Sequence, residues 1–275
     1  MDTPGGLSLL TFNIGNPSAA RARLQLQWLA SRTEQVLVLT ETKASAGCEL
    51  LADAFTAAGH SVVYPRPEAG DYGAMIVSRV ALRPDSFGDR VGYLPSRAAA
   101  ALLPTAGGPI RLIGLYVPSR DASLDKTERK KKWLAACHAA LTDARDVPTV
   151  LLGDLNVLEP DHQPRYPFFA PFEYDFYRAL VGEHGLVDAF RHLHPTDREY
   201  SWVGRTGDGY RYDHAFCSTA LQDHVIGCRY DHQPRDNRLS DHSALTLHLA
   251  VAAPAALPTN DPRAPLAPTA PDTLF

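Results

Sequence analysis

Little in this sequence marks an exported, membrane-spanning or strongly cationic protein. Only 4 of the 275 residues are cysteine, and Cys48, Cys137, Cys217 and Cys228 form no CxxC pair. Neither a disulfide framework nor a thiolate zinc site is therefore expected. No apolar run approaches the roughly 18 residues that cross a bilayer, so no membrane partner is expected. The opening Met1-Asp2-Thr3-Pro4-Gly5-Gly6 lacks the basic and apolar regions of a secretion signal, which points to a reducing, cytoplasmic setting. Positive charge is not in excess either: 27 Lys and Arg against 31 Asp and Glu leave a net −4. Binding to a polyanion must then rest on a local basic face, and salt would weaken it.

What is present suits one globular domain: 45% hydrophobic and 21% charged residues over 275 positions. Leu7–Ile14 alternates and predicts a first strand, and Gln35–Thr40 reads as a strand buried on both faces. Helical spacing covers Ala19–Arg32, Cys48–Gly59, Leu124–Arg145 and Phe176–Gly182. Further strands are predicted at His60–Tyr64, Tyr72–Ser78, Ala98–Leu103, Ile110–Val117, Thr149–Asp154, Tyr200–Val203, Tyr210–Cys217, Leu221–Tyr230 and Leu245–Val251. The domain is expected to span residues 1–251. From Ala252 the composition turns to Pro, Ala, Thr and Asp, which cannot bury enough surface to offset ordering entropy, so 252–275 are expected as a flexible tail.

Polar residues gather at the ends of the apolar runs. Val150-Leu151-Leu152 leads into Gly153-Asp154-Leu155-Asn156, and Thr40-Glu41-Thr42-Lys43 closes an earlier run. Arg211-Tyr212-Asp213-His214 and Ser240-Asp241-His242-Ser243 follow later. Strand ends on a rigid scaffold can converge such groups on one cleft. Acid oxygens, amides and an imidazole suit a hard divalent cation and a phosphate better than they suit zinc. The chemistry implied is metal-dependent phosphoester cleavage.

In order, these segments resemble the endonuclease/exonuclease/phosphatase superfamily. Thr11-Phe12-Asn13-Ile14, Glu41-Thr42-Lys43, Tyr72–Ser78, Gly153–Asn156, Ser201-Trp202, Arg211–Asp213 and Ser240–His242 carry the likeness across about residues 7–250. It implies an α/β (α+β) fold, a four-layered sandwich of two mixed β-sheets flanked by helices. Leu115-Tyr116-Val117-Pro118-Ser119, with tyrosine rather than histidine, is similar to the exonuclease III type of abasic-site nuclease. That branch carries Asn or Asp two residues after the first-strand asparagine, where this chain has Gly15 followed by Asn16.

The resemblance implies Mg²⁺, or Mn²⁺, held by Glu41 with Asn13, Asp154, Asn156 and Asp241. Mg²⁺ keeps several waters and takes few carboxylates, so a sparse ligand set is expected. Asp154 and Asn156 lie two apart, which places both on one face of an extended segment. One accepts the proton of an attacking water and the other donates to a phosphoryl oxygen. Asp213 is expected to orient His242, which stabilises the phosphate charge or serves as general base. Tyr116 donates to the same phosphate or acts as a phenolate, the donor role being favoured by an ordinary phenol pKa near 10.

Arg120 is expected at a phosphate, and Trp202, Tyr210 and Tyr212 are expected to form a slot for a flipped-out, base-free sugar. Arg211 is read as a support for Asp213. The basic run Lys126, Arg129, Lys130, Lys131 and Lys132 is read first as a solvated face, and His162, His192, His194 and His232 as solvated loop residues. The expected partner is DNA, as a duplex with abasic sites or 3′ ends, met by a monomeric bacterial protein near the nucleoid. Two rivals remain: the same scaffold acting on RNA, a nucleotide, a phosphoinositide or sphingomyelin, and a binding protein without activity.

Overall fold

The strands begin from a period-two pattern with apolar residues on both faces, and the computed structural model buries both. It describes residues 6–163 and 165–264. The first half contains β1 (Gly6–Asn13), α1 (Ala19–Ala30), β2 (Val36–Thr42), α2 (Ala46–Ala57), β3 (Ser61–Val63), β4 (Gly73–Ser78), β5 (Arg83–Pro84), α3 (Phe87–Val91), β6 (Ala98–Thr105), β7 (Gly108–Tyr116) and α4 (Leu124–Thr142). The second contains β8 (Thr149–Asp154), α5 (Pro171–Gly182), β9 (Leu186–Asp188), α6 (Ala189–Leu193), β10 (Trp202–Val203), β11 (Gly209–Tyr210), β12 (Asp213–Ser218), β13 (Val225–Asp231), α7 (Gln233–Asp236) and β14 (Ala244–Ala252).

Two six-stranded mixed sheets result, ordered β13-β14-β1-β2-β4-β3 and β5-β6-β7-β8-β12-β9. Leu9, Val38 and Ile76 of the first sheet meet Leu112, Val150 and Leu152 of the second in a shared core. The opposite face of the first sheet packs Leu10, Phe12, Leu37 and Leu39 against α1 and α2. Ile113, Leu151 and Phe216 do the same for the second sheet, against α3, α4 and α5. The layers are therefore helix, sheet, sheet, helix, as expected. All four cysteines are free and buried in these cores.

Three expectations change. Tyr210–Cys217 is not one strand: the Tyr212 and Asp213 N–H groups bond Ser201 Oγ at 3.0 and 3.1 Å, which interrupts the ladder between β11 and β12. Leu221–Tyr230 divides into a 3₁₀ turn over Thr219–His224 and then β13. Past Ala252 the chain runs along the body where a flexible appendage was expected. Ala256 bridges Val80, and Asn260 N donates to Ala58 O at 2.8 Å. Residues 265–275 of that expected tail lie outside the described residues.

Candidate active site

Where the inward faces of the central strands reach one end of the sandwich, they change from apolar to polar. On β1, Leu7 and Leu9 enter the inter-sheet core and Asn13 continues the same face. On β8, Val150 and Leu152 lead to Asp154, and on β12, Cys217 and Ala215 lead back to Asp213. Asp154 and Asp213 are direct cross-strand partners, and Tyr116 of β7 is in register with Asp154. Asn13 joins the two sheets, its Nδ2 donating to Asp154 Oδ2 at 2.9 Å.

His242, in the turn before β14, bridges Trp202 and donates from Nδ1 to Asp213 Oδ2 at 2.7 Å. A carboxylate can only accept, so the proton sits on Nδ1. Burial disfavours the imidazolium, but the charge and hydrogen bond of Asp213 outweigh it, and His242 is pushed up to about 10. Burial, reinforced by the Asp213 charge, holds the Asp154 carboxyl well above the usual carboxylate range. Asp154, Asp213 and His242 bring ligand-type atoms within 4.8 Å of one another.

Strict alternation would send Glu41 toward the helices with Leu37 and Leu39. A bulge prevents this. Thr40 pairs with Ala74 and Thr42 with Gly73, leaving Glu41 as the extra residue at φ +59°. The bulge aims it at Asn13, with His242 and Asp241 nearby; burial raises its carboxyl, and the hydrogen bond from Asn13 does not offset that. Asp241 is exposed, and its Oδ2 accepts from Trp202 Nε1 at 2.9 Å. Asn16 touches this group through its main chain, its N–H donating to Glu41 O at 3.0 Å, while its side chain turns to Ser45, Oδ1 accepting from Ser45 Oγ at 2.8 Å.

Asn156 departs from the expected geometry. The extended segment stops at Asp154, and Asn156 has φ +47°. Its N–H donates to Asp154 Oδ1 at 2.9 Å and its Nδ2 to Val117 O at 3.0 Å. The pair is thus coupled through a tight turn rather than by strand periodicity. Gly153 permits the approach: it has φ +148°, and a Cβ there would lie 2.0 Å from Leu115 O.

Tyr116 is buried against Tyr72, with ring centroids 5.6 Å apart, and Arg97 lies 5.0 Å over its ring. Burial raises its phenol well above the ordinary value, which leaves a neutral donor rather than a phenolate. Tyr210 and Tyr212 stack at 5.5 Å and 13°, and Trp202 lies 5.8 Å from Tyr210. Phe169 extends this aromatic wall at 6.1 Å from Tyr212.

Other expected site residues turn away. Arg120 is held by Phe168 O at 2.6 Å and Glu173 Oε2 at 2.7 Å, which places it in a buried ion cluster. Arg211 is fully buried between Glu159 at 2.8 Å and Asp188 at 2.7 Å, anchoring the loop that carries Asp213. In the basic run, Arg129 pairs with Asp71, Lys126 with Asp121 and Lys131 with Glu128, while Lys130 is buried. His162 is buried against Tyr210, and His232 bonds Ser243 Oγ at 2.8 Å and Glu199 at 3.0 Å, so neither is simply solvated. Sequence reading missed Arg97 and Glu173, and named Ser201 only as part of a motif without its role in holding the Tyr212 and Asp213 N–H groups. Lys130, read as part of a solvated basic run, left a trace of its burial by falling on the apolar stripe of α4.

With this geometry established, comparison with known proteins is decisive for the family. Residues 10–242 match the Endonuclease/Exonuclease/phosphatase family. The chain belongs to that family. A DNA-(apurinic or apyrimidinic site) endonuclease of Arabidopsis thaliana is 27% identical over 177 residues, 51% of this chain and 48% of that protein. The chain therefore spans about half the length of this curated relative. An AP endonuclease structure from Archaeoglobus fulgidus superposes with TM-score 0.75 at 26% identity, covering 89% of this chain and all of that one. A 3′-phosphatase from Neisseria bound to a product DNA hairpin gives 0.73 at 26% identity, covering 88% and 99%.

The family is metal-dependent, and the donors present fit a hard cation. Glu41 offers a carboxylate whose burial is uncompensated, and Asp213 Oδ1 is buried without a hydrogen-bond partner among the described residues. The buried Asp154–Asp213–His242 group is a further set that could bind an ion.

Proposed function

We propose that the chain is a Mg²⁺-dependent DNA phosphodiesterase, an exonuclease III-like abasic-site endonuclease that also trims 3′ ends. The observation that carries the reading is the Asp213–His242 pair at 2.7 Å beside an Asp154 bonded to Asn13 of the other sheet. Together they put a proton acceptor, a fixed imidazolium and oxygen donors around one point. The likeness to AP endonucleases and to a 3′-phosphatase bound to DNA supports DNA as the substrate class.

Glu41, with Asn13 and Asp154, would hold the cation, and Asn156 and Asp241 complete its surroundings. The His242 imidazolium repels a second positive charge, which argues against using His242 as a ligand. Bound there, a divalent ion supplies charge neutralisation at the phosphoryl oxygens. Asp154, its carboxyl raised by burial, accepts the proton of the attacking water. His242, fixed by Asp213, donates toward the charge that builds on phosphorus, and so does Tyr116. Asn156 has one amide N–H committed to Val117 O and a second for a phosphoryl oxygen. As the water oxygen bonds phosphorus the P–O3′ bond breaks, and the departing oxygen takes a proton from solvent to leave a 3′-hydroxyl; Trp202, Tyr210 and Tyr212 form the wall against which a base-free sugar rests. Arg120 supports this wall through Phe168, and the protein works as a monomer.

The test is incision of a duplex bearing one tetrahydrofuran abasic analogue, together with removal of a 3′-phosphate, with Mg²⁺, Mn²⁺ or chelator. Cutting only in the presence of metal is expected. Equal cutting in chelator, or none with either metal, overturns the reading.

A further inference from the structure

Helix α4 carries a lysine where its spacing calls for an apolar side chain. Lys130 shares a stripe with Trp133, Leu134, Cys137 and Leu141, all buried, and its own side chain is 1% exposed. A buried ammonium costs several kcal/mol before pairing, and an apolar residue in such a place is often no less stable. The stripe alone thus gives no reason for a lysine.

Its contacts give one. Lys130 Nζ donates to Glu173 Oε1 at 2.6 Å and to the main-chain oxygen of Asn156 at 2.6 Å. Glu173 cannot drift, because Oε2 is held by Arg120 Nη2 at 2.7 Å and by Ala170 N at 2.9 Å. At the other end, Asn156 stands at φ +47°, a conformation that costs energy for a non-glycine residue. Its N–H holds Asp154 Oδ1 at 2.9 Å. A line of hydrogen bonds therefore runs from α5 through α4 to the Asp154 carboxylate.

We propose that Lys130, aimed by Glu173, is a positioning residue for phosphoester cleavage. It grips the Asn156 carbonyl and so holds Asn156 and Asp154 in their reactive arrangement without touching substrate itself. This rests on Asp154 and Asn156 being the groups that meet the phosphate.

The test compares Lys130→Met, Lys130→Arg, Glu173→Gln and Lys130→Met combined with Glu173→Gln in the full chain. Turnover is read on the abasic duplex and on bis(p-nitrophenyl) phosphate, and backbone amides are followed by NMR. For Lys130→Met, kcat is expected to fall about 10- to 100-fold while KM stays within about twofold, the signature of lost alignment. The Val157 amide, which follows the gripped carbonyl, should shift. Lys130→Arg, which can donate to both acceptors, should restore kcat to within about threefold. In the Glu173→Gln background, where the ammonium has lost the carboxylate that aims it, the Lys130→Met loss should shrink below about threefold, because the two act in series.

A folded Lys130→Met protein with wild-type kcat, an effect on KM alone, or an equal loss in both backgrounds overturns the proposal. If Lys130→Met does not fold, the charge-free pair Lys130→Met with Glu173→Leu replaces it, and unchanged kcat there is equally fatal. If the wild type leaves the duplex intact, the DNA reading fails on its own. The Val157 shift and turnover of the small phosphodiester then decide the positioning role.

Discussion

Replacing Asp213 by Asn keeps the shape of the side chain and removes its charge. In the native protein that charge overcomes burial and sets His242 at about 10 instead of 6.5. In Asp213→Asn the burial remains and the largest compensation is gone, leaving only the weaker charges of Asp154 and Asp241, so the imidazole should titrate well below its native value and be largely neutral at pH 8. Loss of one preorganised donor at developing charge costs about 10²- to 10³-fold in kcat, or roughly 3–4 kcal/mol. KM should change little, since the charge matters mainly in the transition state.

The sign can be checked over a range of pH. The folded value of His242 lies above the unfolded one, so the pair's stabilisation is complete below about 6.5 and is lost as pH rises through about 10. Two assays are decisive: turnover of the abasic duplex between pH 5 and 10, and NMR titration of the His242 ring. The reasoning fails if Asp213→Asn keeps kcat within about twofold of wild type, or if its His242 is still protonated at pH 8.

Asp154→Asn should abolish turnover while circular dichroism and the thermal midpoint show a folded protein; undiminished cutting would remove Asp154 as the proton acceptor. Glu41→Gln should weaken Mg²⁺ binding about 10- to 100-fold in isothermal titration calorimetry, and unchanged affinity would move the cation to the Asp154–Asp213–His242 group. Arg211→Met leaves Glu159 and Asp188 buried without their shared partner, and urea unfolding should register a loss of about 3–5 kcal/mol. Glu159, despite its burial, is held down to about 2 by Arg191 and Arg211. Its contribution is therefore full above the unfolded carboxyl range near 4.5 and fades as pH falls toward 2, which acid unfolding of wild type and Glu159→Gln would reveal.

Strands buried on both faces were legible in the chain from their apolar spacing, while their four-layered arrangement was implied by the resemblance of the ordered motifs to the family. Leu9, Val38, Ile76, Val150 and Leu152 define that inner core, and the same periodicity carries Asn13, Asp154 and Asp213 onto its rim. Much of the proposed catalytic group could therefore be named from strand ends alone. Periodicity misplaces Glu41 and Asn156, whose directions come from a bulge and a left-handed turn that depend on neighbouring strands.

Tertiary contact also decided which charges are free. In sequence Arg120 reads as a phosphate contact, Lys130 as part of a solvated basic face and Arg211 as a support for Asp213. Their acidic partners arrive from residues 23 to 53 positions away, so their pairing is a property of the assembled sandwich. Sequence by itself determined the strands, the helices and the polar rim, because those follow from spacing along one element, and the resemblance carried by its ordered motifs implied the layers. The folded structure decided the aim of each rim residue, because direction at a strand end is set by what lies across from it.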